Sequence, residues 1–254
     1  MKRPLIIANW KLYIDSIEVA KSSAKVIARG ASKIPADLVI CPPAPFIAEV
    51  FKVGGKNIRV GAQTVSRSAG QKSTGEVSAL AVKSAGATYT LVGHSERRRA
   101  GQTNEQVKEE IGMALEAKLM VVLCIGEDER DPSGSHFSAI EEQLRASLPK
   151  MTSKDAKSLI VAYEPVWAIG KTSADAMTPG DLEETAIYIR KVLAELVGRS
   201  QALQTPVLYG GSVEPDNAEY LMHAGVSGFL VGHASIDPKS FLSIARGATS
   251  KHAS

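Results

Sequence analysis

The sequence predicts an α/β fold in which eight parallel strands, each followed by a helix, close into a (β/α)8 barrel over residues 1–254. Three observations carry this. Short apolar runs rich in Val, Ile and Leu recur without polar alternation, as strands covered on both faces require. Stretches with helical spacing lie between them. No Ser/Gly-rich or Pro-rich linker and no low-complexity tract divides the chain, so its 254 residues read as one domain of the length usual for such a barrel.

The predicted strands, in order, are LIIAN (5–9), DLVIC (37–41), IRVGA (58–62), YTLVG (89–93), MVVLCIG (120–126), LIVAYE (159–164), PVLYG (206–210) and GFLVG (228–232). Helical spacing runs over Ser16 to Ala31, Asn104 to Ala117, Pro179 to Val197 and Asp216 to Ala224. Pro179 with Asp181, Glu183 and Glu184 makes a strong helix start, its acidic groups near the positive end of the dipole. Pro215-Asp216 reads the same way. Eight such units can close on themselves and leave no exposed edge. The rival, an open doubly wound sheet, lacks a G-x-G-x-x-G after the first strand.

Composition narrows the function classes. The formal net charge is only +3 and the basic residues are scattered, so nucleic acid is not an expected partner. Cys41 and Cys124 end apolar runs, lie far apart and lack metal-ligand spacing, so both are expected in the core and no metal site is expected. The start, MKRPLIIANWK, turns from basic to apolar like a signal peptide, but LIIA is too short for export. No segment reaches the roughly 18 apolar residues of a membrane span. A cytoplasmic enzyme or binding protein, away from membranes, is expected.

Barrel active sites form at the strand C-terminal ends, and five of those ends carry polar groups that core packing does not explain. Asn9 and Lys11 follow the first strand, His94, Ser95 and Glu96 the fourth, and Glu164 the sixth. Gly210-Gly211-Ser212 and Gly232-His233 follow the seventh and eighth. Glu164 comes at the end of an apolar run beside Pro165 and Trp167, and a carboxylate taken out of water becomes a stronger base. Ser95 is expected to cap a helix, which would put the His94 imidazole near the positive dipole end and favour its neutral, donating form. Lys11 and Asn9 could face developing negative charge. The two glycine turns are expected to bring backbone N–H groups to a phosphate, where barrel phosphate sites recur.

The strings ANWK (8–11), VGHSERR (92–98), AYEPVWAIG (162–170), YGGSV (209–213) and GFLVG (228–232) resemble the triosephosphate isomerase family, in order and at its spacing, from Asn9 to about Ser235. The resemblance implies a TIM barrel and a glycolytic and gluconeogenic isomerase that needs no cofactor. It would interconvert dihydroxyacetone phosphate and glyceraldehyde 3-phosphate through an enediolate. By the same resemblance Glu164 would move the carbon-bound proton, and His94 would polarise the carbonyl and shuttle protons between oxygens. Lys11 and Asn9 would stabilise negative charge, with Glu96 holding Lys11 and His94. Backbone N–H groups of Gly170, Ser212, Gly232 and His233 would clamp the phosphate. Pro165, Val166, Trp167, Ala168, Ile169 and Gly170 would form a lid that closes and expels water. A homodimer is implied as well, with Thr74 in a loop that inserts into the partner.

The chain departs from the family in places. Lys171 to Met177 rewrites the second half of the lid, His233 replaces a glycine of the phosphate turn, and Thr64 replaces an asparagine. Gln102 replaces a glutamate, so a supporting negative charge is expected to be missing. The loop tip at Gln71, Lys72 and Ser73 lacks the family's aromatic residue. Two other readings stand beside the first: an isomerase of a four-carbon ketose phosphate, and a silent barrel that only binds phosphorylated metabolites or a protein partner.

Overall fold

The computed structural model describes residues 3–68, 72–131, 133–170 and 177–250. Eight strands form a closed barrel in sequence order. They are β1 (Leu5–Asn9), β2 (Asp37–Cys41), β3 (Arg59–Ala62), β4 (Tyr89–Val92), β5 (Met120–Ile125), β6 (Leu159–Tyr163), β7 (Val207–Tyr209) and β8 (Gly228–Val231). All pairings are parallel, and Leu5 opposite Gly228 closes the ring. The observed strands stop up to one residue short of several predicted ones, because the last residue of each run has already turned into the loop.

Helices cover the barrel. Ile17–Ala31, Asn104–Glu116 and Pro179–Val197 match the predicted spans to within a residue. The helix near Pro215 is shorter than expected, Ala218–Met222, because Glu214 to Asn217 folds into a turn in which the Asn217 side chain accepts from the Glu214 N–H at 2.9 Å.

Successive strand residues point to opposite faces, and the core divides accordingly. Leu5, Ile7, Val39, Cys41, Leu91, Cys124, Ala162, Leu208 and Leu230 belong to a cluster that fills the barrel. Ile6, Ala8, Leu38, Val121, Val161 and Val231 pack outward with the helices. Both cysteines are free and buried, and burial pushes both thiols up. Carried to the strand ends and just past them, the inward parity brings Asn9, Gln63 and Glu164 to the mouth. Among the described residues, no helix is long and apolar enough to cross a membrane.

Candidate active site

Glu164 is the first residue past β6 on the inward parity, and it is 3% exposed. Its N–H donates to the Ile125 carbonyl at 2.7 Å, which keeps the chain in line with β5 after the strand ends. Two glycines make room for it. A Cβ on Gly126 would fall 1.8 Å from the Glu164 carbonyl oxygen, and one on Gly210 would fall 2.9 Å from its Cγ. The carboxylate is fixed at both oxygens: Oε2 accepts from the Ser95 N–H at 3.1 Å and Oε1 lies 3.2 Å from His94 Nε2.

His94 reaches the mouth because Gly93 has φ +68, a left-handed turn that ends the alternation of β4. Ser95 does not cap the helix that follows. His94 is itself the N-cap of Ser95–Arg99, its Nδ1 accepting from the Glu96 N–H at 3.2 Å. The Ser95 N–H is thereby left to Glu164. A ring nitrogen that accepts carries no proton, so this geometry assigns the neutral tautomer with its proton on Nε2, the atom facing Glu164. Half-buried Arg98 anchors the turn, donating from Nε to the Gly93 carbonyl at 2.8 Å and from Nη1 to Asn104 Oδ1 at 2.5 Å.

Lys11 completes the charged group. Its Nζ donates to Glu96 Oε1 at 2.6 Å. Burial pushes the Glu96 carboxyl up, but the Lys11 ammonium outweighs it and leaves Glu96 below its ordinary range. Glu96 holds His94 through its main chain, since its Oε2 is 3.9 Å from Nδ1. The Lys11 backbone sits at φ +47, a conformation that costs a non-glycine residue roughly 1–3 kcal/mol and persists only where the surroundings impose it. Here the Asn9 side chain accepts from the Lys11 N–H at 3.2 Å, and Gln63 Nε2 donates to the Lys11 carbonyl at 2.9 Å and the Cys41 carbonyl at 3.1 Å.

These groups open onto a cleft of about 380 Å³ whose opposite wall is Gly170, Gly210–Ser212, Gly232 and His233. All the catalytic and phosphate-end residues expected from the sequence except Glu96 therefore line one cleft, and Glu96 reaches it through Lys11. Ser212 Oγ donates to the Ala168 carbonyl at 2.7 Å, which ties the β7 turn to the lid segment. Within that segment Val166–Ala168 forms a single 3-10 turn after Pro165. Val166 N–H donates to the Glu127 carbonyl at 2.9 Å, and Trp167 Nε1 donates to Glu127 Oε1 at 2.8 Å. Residues 171–176 of the rewritten lid lie outside the described residues. Met177 is buried, its N–H donating to Tyr209 Oη at 3.4 Å. Thr74 lies exposed in its loop, and the Thr64 Oγ1 is buried with no partner among the described residues.

The Gln102 side chain is paired with a buried acid. Glu110, one helix further on and 2% exposed, accepts from Gln102 Nε2 at 2.7 Å and from Arg97 Nη2 at 3.4 Å. Its burial pushes the carboxyl up to about 7, with Arg97 and Gln102 opposing.

A family model described as triosephosphate isomerase matches residues 4–248. The chain belongs to the triosephosphate isomerase family. It is 37% identical to the triosephosphate isomerase of Symbiobacterium thermophilum across the whole of both chains. It is 40% identical to that of Xanthobacter flavus over 96% of this chain and 97% of the other. The crystal structure of the triosephosphate isomerase from Bartonella henselae superposes with a TM-score of 0.86 at 33% identity, covering 98% of this chain and all of that one. These likenesses place the chain among isomerase enzymes with a TIM barrel, and they do not favour the four-carbon or silent readings.

Gln63, Arg98, Gly126 and Glu127 brace residues of this cleft and were not singled out from the sequence. Strand parity was the available signal for Gln63 and Gly126, since each stands two residues past an inward position. Arg98 and Glu127 act through partners 5 to 49 and 36 to 40 positions away, which no local pattern reveals.

Proposed function

We propose that this chain interconverts dihydroxyacetone phosphate and D-glyceraldehyde 3-phosphate by proton transfer. The observation that carries the reading is Glu164 Oε1 at 3.2 Å from His94 Nε2, with Lys11 lining the same cleft. A buried carboxylate, with room for its side chain left by Gly210, acts as the base that takes the proton from carbon. The neutral imidazole, committed at Nδ1, presents its Nε2 proton to the substrate oxygens, and the Lys11 ammonium offsets the negative charge of the enediolate. Asn9 positions Lys11 by accepting from its N–H. Backbone N–H groups of Gly170, Ser212, Gly232 and His233 hold the phosphate. The lid, Pro165 to Gly170, closes over it and shuts out water, with Trp167 clasped by Glu127 as its fixed end.

The assembly in this reading is a cytoplasmic homodimer of single-domain protomers. The exposed Thr74 and the exposed apolar side chain of Leu12, at 83%, support that reading as groups a partner would cover.

A coupled isomerase assay on purified protein, without added metal, is expected to show turnover of both triose phosphates. Glu164→Asp withdraws the carboxylate by about one bond length and is expected to lower kcat by about 100-fold or more, with phosphate affinity largely kept. Absence of turnover would overturn the function, and unchanged turnover in the variant would remove Glu164 from the mechanism.

A further inference from the structure

The phosphate end of the cleft carries the His233 side chain, where the family resemblance implies a glycine. His233 is the first residue of the 3-10 turn His233–Ser235 after β8. It is not among the described residues with positive φ, so the backbone accepts a side chain there without strain. Its ring stands edge-on to Tyr13, the centroids 5.7 Å apart and the planes at 90°. Such a T-shaped contact is a preferred aromatic arrangement that fixes the plane of a ring. Both rings line the cleft, together with Lys11, Ser212, Glu214 and Gly232. A glycine here could offer an anion only its N–H. An imidazole adds a second donor, and a positive charge when protonated.

We infer that the His233 imidazole, held against Tyr13, is a side-chain ligand for the phosphate group of the substrate, and that anion binding in this cleft therefore follows its protonation. This deepens the proposed isomerase reading and rests on it. The titratable and charged groups facing the same cleft are Lys11 and Tyr13 after β1, His94 after β4, Glu164 after β6 and Glu214 after β7. Glu214 bears most directly on His233. Burial raises its carboxyl above the ordinary range, nearby His233 opposes that rise, and Asp216 adds to it. A carboxylate on this wall repels an incoming anion, and a protonated His233 offsets that repulsion where Lys11 is already engaged with Glu96.

Sulfate is the probe, because it stays a dianion while the protein titrates. Its dissociation constant is measured across roughly pH 5.5 to 8, the range in which an imidazole changes charge, for the wild-type chain, His233→Gly and His233→Gln. In the wild type binding is expected to weaken as pH rises. Both variants are expected to bind about five-fold more weakly at the acid end, the scale of an exposed charge contact, and to show a flatter pH dependence. The His233 Hε1 resonance of the wild type, which needs no variant to fold, should shift on adding sulfate. If the wild type turns over triose phosphate while both variants bind sulfate with unchanged affinity and pH dependence, the inference falls and the isomerase reading stands. If the wild type neither isomerises nor binds sulfate, the isomerase reading falls and takes the inference with it.

Discussion

The two walls of the cleft are built by different means. On the β1, β4 and β6 side the working groups are side chains sunk into the barrel mouth. Glu164 and His94 are 3% and 7% exposed, and each is fixed by main-chain N–H groups. On the β7 and β8 side the turns are glycine-rich, and the His233 side chain is exposed. In the proposed reading the difference follows from the tasks. Proton transfer depends on reacting atoms held to a fraction of an ångström, which requires packed support on all sides. Holding a phosphate requires several donors at once, which a flexible side chain supplies less well than a bare backbone. Changes on the first wall should therefore move turnover, and changes on the second should move affinity.

The sharpest way to break that division is at Gly210, which belongs by sequence to the phosphate wall. Its added Cβ would lie 2.9 Å from the Glu164 Cγ. Gly210→Ala is expected to lower kcat by roughly 10- to 100-fold, on the scale of an ångström's misplacement of the base, while the sulfate dissociation constant changes less. Equal loss in both quantities would mean the two walls are not separable.

A smaller effect is expected at Gln63→Met, which removes both donations that brace the Lys11 and Cys41 carbonyls. Left unsatisfied, such groups cost about 1–3 kcal/mol, so a lower thermal midpoint and a fall in kcat of about ten-fold are expected. Full retention of kcat would show that Asn9 and Glu96 alone hold Lys11 in its left-handed conformation.

The least effect on chemistry, but a distinct one on stability, is expected at Glu110. Its folded carboxyl is raised from 4.5 to about 7, so the folded state binds the proton more tightly than the unfolded chain. The stability this gives is complete below the unfolded value and is lost as pH rises through about 7. Wild type should therefore lose, relative to Glu110→Gln, on the order of 3 kcal/mol between acid and neutral pH. Urea unfolding of both proteins at pH 5 and pH 8 measures this, and parallel curves would place the Glu110 proton elsewhere.

Much of this was legible in the chain. The eight runs gave all eight strands to within about a residue, because a strand buried on both faces cannot alternate and so announces itself by composition. Helix spans with strong start signals, such as Pro179–Val197, were read to the residue. The structure differs from the sequence reading where two side chains compete for one cap. Ser95 looks like a cap in any local window, yet His94 takes that place and frees the Ser95 N–H for a carboxylate 69 positions away. That Gln102 donates to Glu110, eight positions away on the next helix, is likewise invisible in a local window.

The sequence by itself determined the barrel, its register of inward and outward residues, and which strand ends would be polar. These depend on periodicity and on the solvent each face meets, and both are local properties. Only the tertiary structure decided which nitrogen of His94 keeps its proton, what holds Lys11 in a strained backbone, and which glycines clear space for Glu164. Those outcomes depend on contacts between segments that meet only when the barrel closes, at separations where a shift of an ångström changes the chemistry.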